Sequence, residues 1–155
     1  FANITETLVG ESLGELNKDH FIKVLRNTAV CSVALGLLFF IVYFIFGQAL
    51  IKLMTTLPRV MLVANQYLIW ACVLPIVCAW TFWLDGIFMG SAKGAVLRNA
   101  MVLSTFIYFI AWWLTKPLGN TGLWLSLLLF MAARLLTLLI PLIKWTQDVR
   151  RLPVR

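Results

Sequence analysis

The chain has 155 residues, 62% of them hydrophobic and only 12% charged, with a mean hydropathy of +0.94. A soluble domain of this length has too little interior for so much apolar surface, each Å² of which costs roughly 25 cal/mol in water, so lipid must be part of the solvent. The net charge of +7 falls between hydrophobic runs rather than on one face, so it reports membrane topology and gives no reason to expect a nucleic-acid partner.

Residues 1–23 read as the end of a preceding helix and an amphipathic cytoplasmic connector, and from Asn17 to Arg26 the residues Phe21, Ile22, Val24 and Leu25 stand among Lys18, Lys23 and Arg26 in a lead-in expected to lie on the membrane surface. The chain begins with Phe1 and shows no short apolar core behind a basic leader, so it is expected to be cut from a longer protein. A bilayer core of about 30 Å takes about 20 apolar residues of helix. Four stretches meet that need, and the predicted helices run over 24–52, 58–90, 95–115 and 120–144. Lipid offers backbone groups no water to bond, so each span should be helical, giving an all-α, polytopic membrane bundle. Thr55 or Thr56 is expected to cap the second helix, with Pro58 in its first turn. The run from Thr115 to Gly122 is a tight turn that makes the third and fourth helices an antiparallel hairpin, and 145–155 is a basic tail.

Lys and Arg alternate with the spans. Lys18, Lys23, Arg26, Lys93, Arg98, Lys144, Arg150, Arg151 and Arg155 fall on one side, against Lys52, Arg59 and Lys116 on the other. The richer side, with the C-terminus, is expected in the cytoplasm of a bacterial inner membrane.

Two charges lie inside the spans. Asp85 is a carboxylate in an apolar segment, where insertion costs about 2.5–3.5 kcal/mol, and it heads a partly polar stripe through Thr81, Cys78, Leu74, Ala71 and Tyr67. Arg134 stands roughly 15 Å from the Lys144 end of its helix and Asp85 roughly 12 Å from Lys93, depths at which the two can pair. Asp85 is the candidate for cation binding or coupling, and Arg134, Thr81, Tyr67, Ser104 and Tyr108 are candidates to line a polar cavity. Pro75 removes a helical hydrogen bond in mid-span and is a candidate hinge. Gly86, Gly90 and Gly94, and likewise Thr28, Ser32 and Gly36, recur at four-residue spacing and read as close-packing ladders. Cys31, Cys72 and Cys78 lie in apolar runs, and His20 has no other histidine or cysteine near it in sequence. No catalytic residue, metal site or cofactor is expected, and energy for any transport must come from an ion gradient or from another part of the protein.

The run Phe82-Trp-Leu-Asp85-Gly-Ile-Phe-Met-Gly90, then Leu97-Arg-Asn99, then Trp112 to Trp124 through Lys116-Pro-Leu-Gly-Asn120, resembles the DinF-like branch of the MATE family of multidrug and toxic compound extrusion transporters. Thr7 to Gly14 is similar to the family's segment at the cytoplasmic end of a membrane helix. The resemblance implies a twelve-helix transporter in two bundles that exports small organic, amphipathic compounds in exchange for protons or sodium. This chain would supply the tail of helix eight and helices nine to twelve, completed by the remaining N-terminal helices. By position, Asp85 corresponds to an acidic residue on helix ten that binds the cation in some members. The alternatives are a lipid or lipid-linked sugar flippase of the same superfamily, and a structural membrane subunit in which Asp85 and Arg134 only lock helices together.

Overall fold

The structure, a computed structural model, describes residues 2–15 and 18–151, and 152–155 of the expected tail lie outside it. The described residues form five helices in order: α1 (Ala2–Gly14), α2 (Lys18–Met54), α3 (Pro58–Gly90), α4 (Gly94–Thr115) and, after a 3-10 turn over Lys116–Leu118, α5 (Asn120–Arg151). Among the described residues there is no strand, and α2 to α5 are each long and apolar enough to cross a bilayer. The chain is an all-helical, multi-pass membrane protein.

The boundaries depart from expectation where packing extends a helix. From Lys18 onward the connector forms no separate surface element. Residues from Lys18 run unbroken into the span, because Phe21, Val24 and Leu25 are buried against other helices rather than laid on lipid. Neither threonine caps α3. Leu57 takes that position in extended geometry, as expected for a residue before proline, and its N–H donates to Thr55 Oγ1 at 3.3 Å. Pro58 then opens the helix at a position whose N–H has no intrahelical partner anyway. Past residue 144, α5 continues to Arg151.

Two antiparallel hairpins, α2–α3 and α4–α5, are joined by packing of α3 on α5, and α1 lies across α3 and α2. At the α4–α5 turn, Gly119 adopts a φ of 59°, which glycine accepts without strain. Gly122 lies so close to the Thr115 carbonyl that a Cβ there would collide with it, and Thr115 Oγ1 meets Ser126 Oγ at 3.0 Å.

The apolar core sits at the end of the bundle that carries Lys93. It draws Val9 from α1, Phe21 and Leu25 from α2, Leu84 and Phe88 from α3, and Leu138 from α5. At that end Lys93 Nζ lies 3.5 Å from the centre of the Trp145 ring, and Trp145 packs on Phe21 with ring centroids 5.1 Å apart. The opposite end is open: Leu53 and Met54 are 84% and 87% exposed.

Small residues let the backbones approach. A Cβ on Gly86 would lie 2.6 Å from the Ala2 carbonyl oxygen, and one on Gly90 would overlap the Glu6 carbonyl, so this ladder seats α1 on α3. Gly94 has nothing within 4 Å and is not part of the contact. The Thr28, Ser32 and Gly36 ladder faces α3. Trp83 Nε1 donates to Thr28 Oγ1 at 2.9 Å, Ser32 Oγ donates to the Ala79 carbonyl at 2.6 Å, and a Cβ on Gly36 would sit 3.0 Å from Ala79 Cβ.

Candidate functional site: a buried ion pair between α3 and α5

Asp85 belongs to the last turns of α3 and Arg134 to the middle of α5, and both lie on the contact between the hairpins. Arg134 Nη2 donates to Asp85 Oδ2 at 2.9 Å, with the residues 8% and 7% exposed. The approach expected from their depths is therefore met by direct contact. Opposite charges buried together offset part of the desolvation that each would meet alone. The bond is single, however. Asp85 Oδ1 and Arg134 Nε are buried with no hydrogen-bond partner among the described residues.

Thr81 stands one turn before Asp85, fully buried on the same side. Its Oγ1 donates to the Val77 carbonyl at 3.0 Å and lies 3.5 Å from the Met131 carbonyl of α5. Asp85, Arg134 and Thr81 thus all lie on the contact between α3 and α5.

The other candidates lie elsewhere. Tyr67 is at the open end, where its hydroxyl meets Thr121 Oγ1 at 3.3 Å and its ring stacks on Trp124 with centroids 6.4 Å apart. There it lines a cleft of about 700 Å³ whose walls are mostly apolar, with Arg59 and Asn120 also on them. Ser104 is fully buried and donates to the Ala100 carbonyl of its own helix at 2.7 Å, which leaves no hydroxyl proton for a ligand. Tyr108 packs edge-on against Phe130 of α5 at 6.1 Å, a helix contact rather than a cavity wall. Trp112, which helical spacing of four residues puts on one stripe of α4 with Ser104 and Tyr108, is 41% exposed. Pro75 lies within α3, which stays helical through it, and a Cβ on Gly36 would come 3.5 Å from its carbonyl oxygen.

Sequence reasoning missed the bond from Trp83 to Thr28. Its signal was present, since an indole two residues from Asp85 carries an N–H that must find an acceptor when buried.

The model of the family MatE matches residues 2–114. The chain is similar to the DNA damage-inducible protein F of Escherichia coli (strain K12), 37% identical over 139 residues. That alignment takes in 89% of this chain and 30% of the relative, so the chain spans less than a third of the length of the curated protein it matches. No solved structure matches it.

Proposed function

The chain belongs to the MatE family, and from that premise we propose that it is the C-terminal part of a secondary active multidrug efflux transporter. In this reading the complete protein is an antiporter that exports small organic, amphipathic compounds against an inward flow of protons or sodium. It lies in a bacterial inner membrane with the Lys93 end and the C-terminus in the cytoplasm, and its remaining helices come from the N-terminal part of the same protein. It is not an enzyme and needs no resident cofactor.

The observation that carries the reading is the ion pair of Asp85 and Arg134, because ionisable residues inside spans are expensive and mark ion pathways and proton relays. The charge alternation between the two ends supports the orientation. A flippase for pyrophosphate-linked sugars would need several free cations in its cavity. The one intramembrane cation among the described residues, Arg134, is already committed to Asp85.

Purified full-length protein in liposomes tests the reading. An imposed proton or sodium gradient is expected to drive a fluorescent organic cation across the membrane against its own gradient. Movement that ignores both gradients would overturn it.

The pair itself also suits a structural subunit, in which Asp85 and Arg134 only tie α3 to α5. That second reading expects the doubly neutral variant Asp85→Asn with Arg134→Gln to export as the natural protein does.

A further inference from the structure

A guanidinium facing a carboxylate can make two parallel hydrogen bonds, yet Arg134 engages Asp85 through Nη2 alone. The second carboxylate oxygen and Nε are buried with no hydrogen-bond partner among the described residues. A well-packed structural tie would use both, since a buried donor and a buried acceptor left unbonded weaken the contact that contains them. Among the described residues, Arg134 is the charged group in direct contact with Asp85. Of the charged groups on the neighbouring elements, His20 pairs with Glu15 and Lys93 lies over the Trp145 ring.

We propose that Arg134 is a tethered competitor for Asp85, a guanidinium that neutralises the carboxylate until a small cation, proton or sodium, displaces it. The inference rests on the transporter reading and adds to it the residue that the coupling cation must push aside. Oδ1 supplies the entry point, because an incoming cation can engage it before the bond from Nη2 to Oδ2 breaks. The exchange then never passes through a bare carboxylate in a low-dielectric site. One turn before Asp85 and Arg134 on the same two helices, Thr81 Oγ1 and the Met131 carbonyl oxygen meet at 3.5 Å, and hard cations are held by oxygen ligands of this kind. Because the displaced bond is the charged tie between the two hairpins, binding of the cation loosens the packing of α3 on α5.

The test is the cation dependence of export by the full-length protein in liposomes, measured for the natural sequence, Arg134→Gln, Arg134→Lys and Asp85→Asn. If Arg134 competes, Arg134→Gln lowers the half-saturating proton or sodium concentration by at least tenfold. Arg134→Lys lowers it by less, and Asp85→Asn abolishes the dependence. Titrating sodium at fixed pH, and pH without sodium, tells which cation does the displacing. Half-saturation unchanged in Arg134→Gln, with gradient-driven export intact, overturns the inference while leaving the transporter reading in place. Absence of gradient-driven export by the natural sequence is the separate failure of that reading. Should Arg134→Gln not insert, thermal melting of the purified Arg134→Lys protein against sodium concentration and against pH decides. A larger cation-induced rise than in the natural protein supports competition, and an equal rise overturns it.

Discussion

Arg134 and Asp85, 49 positions apart on two different helices, meet at 2.9 Å inside the bundle and join its two hairpins through a single charged hydrogen bond. The pair lies in the same half of the molecule as the apolar core, so charge and packing hold the same end together. What the pair contributes depends on whether its partners are removed singly or together. One charge left alone in a buried site is costly, whereas removing both leaves only a polar gap.

Neutralising one member should therefore cost more than neutralising both. Arg134→Gln or Asp85→Asn alone is expected to destabilise the full-length protein by about 3 kcal/mol or more, and the double variant by clearly less than the sum. Thermal melting in detergent measures all three. Strict additivity would mean that the contact carries no coupling.

The seat of α1 on α3 makes a second, internally controlled prediction. Gly90→Ala places a methyl group against the Glu6 backbone, where no flexible side chain can yield, and should destabilise by about 1–3 kcal/mol. Gly94→Ala, with nothing within 4 Å, should change little. The comparison of their melting temperatures, or of proteolysis near residue 15, checks it.

Trp83→Phe keeps most of the buried ring and deletes its N–H, leaving Thr28 without that donor. A loss of about 1 kcal/mol is expected. In the background Thr28→Val the same change should cost markedly less, because the partner is already gone, and a double-mutant cycle on melting measures the difference.

Topology is checked by labelling. With Cys31, Cys72 and Cys78 replaced, an impermeant thiol reagent added to intact cells should modify Lys116→Cys and not Lys93→Cys. The reverse pattern would invert the orientation.

Much of this arrangement was legible in the sequence, for reasons that can be stated. Asp85 and Arg134 stood out because charges inside apolar runs are rare, and a helix rises by a fixed amount per residue, so their depths could be compared without knowing the fold. The start at Pro58 and the turn around Gly119 followed from local backbone chemistry. The start of α2 did not, because whether Phe21 and Leu25 lie on lipid or on protein depends on where α1 and α5 end up. Ser104 and Tyr108 show the same limit. Helical spacing places them on one stripe, but only the neighbour decides the role: Ser104 bonds its own backbone and Tyr108 packs on Phe130. The indole of Trp83 was one of seven in the chain, and nothing in its local sequence singled out Thr28 as its acceptor.

The central claim, that the acid of this pair couples export to a cation, meets its most direct test in Asp85→Asn of the full-length protein reconstituted in liposomes. Insertion and melting are to be compared first with those of the natural sequence. The account predicts protein that inserts yet no longer moves its organic substrate in response to a proton or sodium gradient. Export with an unchanged dependence on both gradients would contradict it.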